Sequence, residues 1–172
     1  MKRLALLAVL CSLASPARAA DLLEEVDVRG LAENRIDLVI TGDGYTAAQA
    51  DQFREDVDTL LDGLFDQRPW GSYQDLFNVY RVVTESAESG ADHPSQNDYR
   101  DTYFDAEFEY YGIDRLTYAD EGRIVSVVSG LLPEVDQIIL LINDPEYGGS
   151  GGLIAMASVH PDAVYIVVHE LG

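Results

Sequence analysis

The stretch that decides the fold is Arg35-Ile-Asp-Leu-Val-Ile-Thr41, which leads into the turn Gly42-Asp43-Gly44 and then into a long amphipathic segment. Its run of β-branched and apolar residues predicts a buried central strand. Thr46 and Gln49 have the spacing of a capping box, so we predict that a helix begins at Thr46. The apolar residues of this segment recur at helical spacing and are Phe53, Val57, Leu60, Leu61 and Leu64. A strand followed by such a helix is the first part of an α/β fold.

Short β-branched runs alternate with helical segments along the rest of the chain, which predicts βαβ units. The predicted elements are strands at residues 76–83, 135–143 and 153–159, the last at a sheet edge, and helices at residues 123–132 and 163–172. The first of these helices is preferred to a strand because it lies between strands and ends near Gly130 and Pro133. The sequence therefore predicts one α/β domain, a twisted mixed β-sheet with flanking helices on both faces.

Two segments between these elements lack a regular period. Residues 84–97 are polar and predict a long loop, whereas residues 99–111 carry six aromatic residues among acidic ones. We expect these aromatic side chains to anchor an irregular segment to the core. His93 and His160 both precede a proline, and we expect them to be surface or capping residues.

The charge of the chain excludes several classes of function. The sequence of 172 residues has 31 acidic and 11 basic side chains, a formal net charge of −20 and a pI near 4.1. Phosphate binding needs clustered lysine and arginine, so a nucleic acid is not expected as a partner. An anionic membrane surface is excluded for the same reason. Hydrophobic residues make up 47% of the chain, which suits one packed domain rather than a disordered segment.

The N-terminus has the pattern of an export signal. Lys2 and Arg3 precede an apolar run over residues 4–13 that is too short to span a bilayer. The small-residue pattern at 17–19 places the predicted cleavage after Ala19, so residues 1–19 are the signal peptide and residues 20–172 the exported domain. Cys11 is the only cysteine, and the exported domain therefore has no disulfide. We predict a bacterial protein that is secreted or periplasmic and is not anchored in a membrane.

His169 and Glu170 are the residues with the clearest chemical meaning. In zinc peptidases two histidines at i and i+4 of a helix bind the metal, and the glutamate after the first polarises the metal-bound water. Only the first half of that motif occurs here, so the pattern leaves two interpretations open: half of a zinc motif or a surface pair on a terminal helix. The glycine-rich stretch 148–152 lacks a lysine and precedes a strand, which argues against a phosphate loop and a serine-hydrolase elbow.

A set of short motifs, in matching order and spacing from Asn34 onwards, resembles a known family. The chain is similar to the N-terminal part of the catalytic domain of the IgA-peptidase family of metallopeptidases, whose active-site region is metzincin-like. The motifs are Asn34-Arg-Ile-Asp-Leu-Val39, Gly42-Asp-Gly-Tyr-Thr46, Pro69-Trp70, Phe77-Asn-Val-Tyr-Arg81, Glu88-Ser-Gly90 with Asp92, Asp101-Thr102 with Phe104, Asp136-Gln-Ile-Ile139, Tyr147-Gly-Gly-Ser-Gly-Gly152 and His169-Glu-Leu-Gly172.

The resemblance implies metzincin-like αβα layers, a zinc cofactor and a protein or peptide substrate. It implies that His169 is the first zinc ligand, that Glu170 is the general base and that the remaining ligands lie beyond Gly172. An antiparallel edge strand beside the cleft would bind the substrate through Gly149, Gly151, Gly152, Leu153, Ile154 and Ala155. The helical pattern continues to Gly172 without a C-cap. We therefore expect the sequence to stop inside the active-site helix, and this chain alone to bind zinc poorly and to be inactive.

These observations predict an exported zinc-dependent endopeptidase. The family name suggests immunoglobulin A as the substrate, and a general peptidase activity is equally compatible with the sequence. The alternative from another class is an exported acidic binding module without catalysis, which could bind calcium through the carboxylates of residues 85–105.

Overall fold

The computed structural model describes residues 22–171, which form a six-stranded sheet with four α-helices. The strands are β1 (Leu22–Asp27), β2 (Ile36–Asp43), β3 (Phe77–Val83), β4 (Gln137–Ile142), β5 (Gly149–Ser150) and β6 (Ala155–Ser158). The helices are α1 (Ala50–Asp66), α2 (Trp70–Tyr73), α3 (Glu121–Leu131) and α4 (Ala163–Leu171). The predicted signal peptide, residues 1–19, lies outside the described residues.

The sheet is mixed, as the sequence predicted. Its strand order is β1-β3-β2-β4-β6-β5, in which β3, β2, β4 and β6 are parallel. The outer strands β1 and β5 pair antiparallel with β3 and β6. The first predicted strand is the central one, because β2 is flanked by β3 on one side and by β4 on the other. The chain thus reverses its direction of strand addition between β2 and β4.

The prediction of an antiparallel edge strand at residues 153–159 is wrong. The strand there, β6, is shorter and runs parallel to β4. It is not at the edge, because Gly149 and Ser150 pair with Ala157 and Met156 on its other side. We predicted the edge position wrongly because the glycine-rich stretch, which we expected to be a turn, forms the outer strand of a short hairpin.

Helix α1 and helix α4 cover one face of the sheet, which we call the helical face. All five apolar residues predicted for the first helix are buried there. They share one core cluster with Leu38 and Ile40 of β2 and with Ile166 and Val167 of α4. The capping box at Thr46 and Gln49 is present, but the first turn is a 3₁₀ helix and the α-helix begins at Ala50.

The opposite face, which we call the irregular face, is covered by α3 and by a non-regular segment over residues 84–119. Ile124 and Val128 of α3 pack on Val39 and Leu140 of the sheet. The predicted helix at 123–132 is thereby confirmed within a residue or two. The prediction that aromatic residues anchor the irregular segment holds for three of the six, because Tyr103, Phe104 and Phe108 are buried in the same cluster, whereas Tyr99 and Tyr111 are exposed. The sheet between two covered faces gives the predicted α/β layers.

Asp43, the last residue of β2, organises the irregular segment. Its buried carboxylate accepts hydrogen bonds from the backbone N–H groups of Phe104 and Ala106, each at 2.9 Å. The hydroxyl groups of Thr102 and Ser86 donate to it at 2.8 and 3.2 Å. Burial raises the pKa of Asp43, and the donated hydrogen bonds oppose that rise. A single carboxylate therefore supplies acceptors that the irregular backbone lacks.

Candidate active site

Helix α4 presents His169 and Glu170, and close packing fixes its position. Val164 lies against Gly63 of α1, where a Cβ atom would come within 2.4 Å of the valine Cγ2. Ile166 is equally close to Gly149 of β5, with 2.3 Å between its Cγ2 and the position of a Cβ. Glycine at both places lets the helix approach α1 and the end of the sheet, so a side chain there would displace α4.

The start of α4 is fixed by His160. The backbone N–H of Ala163 donates to the His160 carbonyl at 2.8 Å, and the N–H of Asp162 donates to Nδ1 of the ring at 3.1 Å. These bonds confirm the capping role expected of this histidine. The ring of Tyr147 contacts the His160 ring edge-on, with 5.2 Å between centroids. The start of the helix is thus tied to the loop that follows β4.

His169 and Glu170 line one cavity of about 360 Å³ beside the end of the sheet. His169 is exposed and Glu170 half-buried. The other residues that line this cavity are Arg115, Tyr147, Gly149, Tyr165 and Ile166. The cavity therefore combines an imidazole, a carboxylate, a guanidinium and two phenol groups.

Gly151 lies directly against the carboxylate of Glu170. A Cβ atom on Gly151 would come within 2.2 Å of Glu170 Oε2 and 3.3 Å of its Cβ. With glycine at this position, the Glu170 carboxylate lies against the loop backbone, and any side chain there would force the carboxylate to move. Among the predicted site residues, Gly149, Gly151, His169 and Glu170 are brought together.

The other predicted substrate-binding residues are not available in the way we expected. Ile154 and Ala155 are buried in the two core clusters, whereas Leu153 is 67% exposed and lies outside any strand. The backbone of Gly149 is also occupied, because its N–H donates to the Arg115 carbonyl at 3.0 Å and its own carbonyl accepts from Thr117 at 3.4 Å. A substrate strand therefore cannot pair with Gly149 unless residues 115–117 move. Gly152 and Leu153 remain exposed beside the cavity wall.

The described part of the chain does not form a complete metal site. Among residues 22–171, no group of three or more His, Cys, Asp or Glu side chains could bind a metal ion together. His169 supplies one nitrogen donor, whereas a catalytic zinc normally has three protein ligands. The residues described here do not by themselves fit a zinc ion.

The same finding does not favour the calcium-binding alternative. Carboxylates in residues 85–105 are engaged within their own segment, since Glu88 accepts from the N–H of Asp101 and Asp92 from that of Arg100. Asp98 forms an ion pair with Arg100. These contacts order the loop rather than converge on a central point.

Besides Ile166, three residues with polar side chains line the cavity and were not predicted from the sequence. Tyr165 lies four residues before His169, and helical spacing could have placed both on one side of α4. Tyr147 was noted only as part of the glycine-rich motif. Arg115 could not have been found, because it reaches the cavity through an irregular segment that has no period in the sequence.

One comparison with known proteins identifies a family for this chain. A family model described as IgA Peptidase M64 matches residues 25–172, which include every described strand except the first residues of β1. The match extends through β6 and α4, so it covers the cavity with His169 and Glu170. No curated protein matches the chain.

Proposed function

The chain belongs to the IgA Peptidase M64 family, a family of metallopeptidases, and we propose that it forms the His169–Glu170 part of a zinc-dependent endopeptidase site. The observation that supports this most is the position of the Glu170 carboxylate against the Gly151 backbone, in a cavity that also contains His169. A glutamate that only faced solvent would not need the space that Gly151 leaves for its carboxylate.

Glu170 is proposed as the general base and then the general acid. Its carboxylate takes a proton from the water that attacks the scissile carbonyl, and it returns this proton to the leaving amine. Such a group must be held within hydrogen-bond reach of the water, and the contact with Gly151 restricts the positions that the carboxylate can take. Arg115 brings a positive charge to the same cavity, where it can hold the carbonyl of the substrate.

Zinc is proposed as the cofactor, with His169 as one ligand and the other ligands outside residues 22–171. When bound, zinc supplies a Lewis acid that polarises the scissile carbonyl and acidifies a water molecule. The exposure of His169 in the cavity supports this role, because its imidazole is accessible to an ion.

A protein or peptide is the proposed substrate, and the exterior of the cell or the periplasm is the proposed location. The acidic charge and the basic, apolar N-terminus support export. The exposed segment Gly152–Leu153 beside the cavity, rather than the buried β6, is the part of the predicted strand that a substrate can contact.

The test uses the complete natural protein and its Glu170→Gln variant. Metal is measured by mass spectrometry and cleavage with an internally quenched peptide library. The glutamine side chain keeps the shape of the glutamate but cannot act as a base, so we expect zinc content to stay within about twofold and kcat to fall by about 10²–10⁴. His169→Ala should lower both zinc content and cleavage.

Glu55→Gln is the matched control, because Glu55 is exposed on α1, its replacement removes the same charge, and it does not line the cavity with His169 and Glu170. It should leave cleavage unchanged. Full activity in Glu170→Gln, or zinc bound equally well without His169, would contradict the proposal.

A further inference from the structure

A second cavity, of about 470 Å³, lies at the carboxyl ends of β2 and β4. Strand addition reverses direction between these two strands, and open α/β sheets place ligands in the crevice at such a point. Gly90 forms part of the wall and donates its N–H to the carbonyl of Gly44, which follows β2. Asp144, Pro145 and Glu146 form the wall that follows β4. The sequence analysis did not identify this site.

His93 in this wall has an unusual set of neighbours. The sequence suggested a surface or capping residue, but the side chain is only 9% exposed and its ring stacks on Phe108, with 4.8 Å between centroids. Its Nε2 lies 2.9 Å from Oδ2 of Asp144. Because a carboxylate only accepts hydrogen bonds, Nε2 must carry the proton. The other ring nitrogen, Nδ1, is buried without a hydrogen-bond partner, and when it carries no proton it is an acceptor.

The carboxylate of Glu146 lies beside this nitrogen. Its Oε2 is 3.6 Å from Nδ1 of His93, beyond hydrogen-bond distance, and the side chain is 44% exposed. Asp144 is already occupied, because its other oxygen accepts from the backbone N–H of Glu146 at 2.9 Å. A buried nitrogen without a donor and a carboxylate open to solvent therefore lie side by side.

The cavity walls carry more negative than positive side chains. They contain the carboxylates of Asp98, Asp144 and Glu146 against one guanidinium, that of Arg100. Arg100 is bound to Asp98 at 2.7 Å, so neither of these two groups satisfies Glu146. A ligand for this cavity must bring N–H donors and a positive charge.

We propose that this cavity binds the cationic side chain of a peptide, an arginine guanidinium or a lysine ammonium, between His93 Nδ1 and the Glu146 carboxylate. Either group donates several hydrogen bonds and accepts none, which is the complement of this nitrogen and this carboxylate. A volume of about 470 Å³ is enough for one long side chain.

The cavity is next to the candidate active site along the chain. Glu146 lines the cation cavity, and the following residue, Tyr147, lines the cavity with His169 and Glu170. If the proposed peptidase function holds, a substrate residue in the cation cavity would select peptides that carry arginine or lysine. Binding of the cation itself does not depend on that function.

The experiment measures binding to the complete natural protein in which Glu170→Gln prevents cleavage during the titration. The probes are the acetylated, amidated peptide Gly-Arg-Gly, the same peptide with citrulline, which is neutral and nearly isosteric, and methylguanidinium as the free cation. By calorimetry, the arginine peptide should bind at least tenfold more tightly than the citrulline peptide. If the peptide binds more tightly than methylguanidinium, the bound cation is the side chain of a peptide rather than a free cation. Equal binding of the two overturns that part of the proposal.

Glu146→Gln, made in the same background, should weaken binding of the arginine peptide at least tenfold, whereas the control Glu55→Gln should change it less than twofold. Nitrogen NMR of His93 provides a second measurement, in which the Nδ1 resonance should shift when the arginine peptide binds. Equal binding of arginine and citrulline peptides, or a ring already protonated on both nitrogens without ligand, would overturn the proposal. Absence of peptide cleavage would overturn only the peptidase function.

Discussion

The two faces of the sheet are held by different forces. On the helical face, α1 and α4 contribute apolar side chains at helical spacing, and the buried cluster contains almost no polar group. On the irregular face, residues 84–119 have few regular backbone bonds, and buried polar residues at the ends of β2 and β4 take their place. Asp43 is one of these residues, and Asn143 is another, since its amide donates to the Gly44 carbonyl at 2.7 Å and to Ser89 at 3.1 Å.

The difference teaches where stability and function are located. The core of a face held by hydrophobic burial tolerates little change in volume, and the candidate active-site residues of α4 lie at the margin of that core, beside the end of the sheet. A face held by buried hydrogen bonds keeps its polar atoms at the carboxyl ends of the strands, where the cation cavity lies. The predictions below test this contrast.

Removal of a large side chain from the helical face should have the largest effect. Phe53 is 1% exposed and packs against Tyr45, with 5.1 Å between ring centroids. Phe53→Ala should lower the free energy of unfolding by about 3–5 kcal/mol, because it leaves a cavity that the core cannot close. Chemical denaturation measures this loss. Tyr99→Ala, at a residue that is 59% exposed on the irregular face, should change the same free energy by about 0.5 kcal/mol or less.

Removal of the buried carboxylate of Asp43 from the irregular face should lower the free energy of unfolding less than Phe53→Ala does, and its effect should be confined to nearby residues. In Asp43→Asn one carboxylate oxygen becomes an amino group, so the N–H of Phe104 or of Ala106 loses its acceptor. We expect a loss of about 1–3 kcal/mol in the free energy of unfolding. Hydrogen exchange should quicken at residues 102–106 and not in α1. Equal acceleration in both places would mean that the two faces do not differ as described.

A methyl group placed against the active-site carboxylate should affect activity rather than stability. In Gly151→Ala the new Cβ would lie 2.2 Å from Glu170 Oε2, and the flexible carboxylate must move away. If Glu170 is the general base, kcat should fall by about tenfold or more, since small misplacements of catalytic groups are costly. Peptide cleavage and thermal unfolding are measured together. Gly130→Ala is the matched control, because no atom lies within 4 Å of the added methyl, and it should leave kcat unchanged.

The polar contact on the helical face should contribute least. Hydrogen bonds from Arg54, and then from Arg81, lower the pKa of Glu24 from 4.5 to about 2. A lowered pKa means that Glu24 stabilises the fold above pH 4.5, and that this stabilisation is lost as the pH falls through about 2. Because the ion pairs are partly exposed, we expect only about 1 kcal/mol. As the pH falls from 4.5 to about 2, the free energy of unfolding of the wild type should decrease by about 1 kcal/mol more than that of Glu24→Gln. Parallel pH profiles of the two proteins would show that the ion pairs of Glu24 do not stabilise the fold.

The helical face could be predicted from the sequence, whereas most of the irregular face could not. The buried residues of α1 follow from a 3.6-residue period, and the run in β4 follows from its continuous apolar residues. The position of Phe104 depends on a hydrogen bond to Asp43, 61 residues away in sequence. A contact of that separation leaves no local pattern, so the sequence indicated buried aromatics without indicating what they contact.

The candidate active site could likewise be predicted only in part. His169 and Glu170 were found because they lie on a helix and belong to a known motif. The edge position expected of the strand at residues 153–159 was wrong, because β-branched and small residues fit an inner strand as well as an outer one. His93 was expected to be a surface or capping residue because its loop is polar, and only the fold brings it to Asp144, 51 residues later.

The two-residue length of β5 has a consequence for the solubility of the protein. Long unpaired strand edges invite the sheets of neighbouring molecules to join, and a sequence with a single cysteine has no internal disulfide to oppose this. Here the outer strand is two residues long and Gly149 is already bonded to residues 115 and 117. The segment beyond it is joined only by single bridges, such as that between Glu107 and Tyr118, which are too irregular to extend. The glycine-rich stretch that makes room for the Glu170 side chain thus also ends this side of the sheet with little free backbone for a neighbouring molecule to pair with.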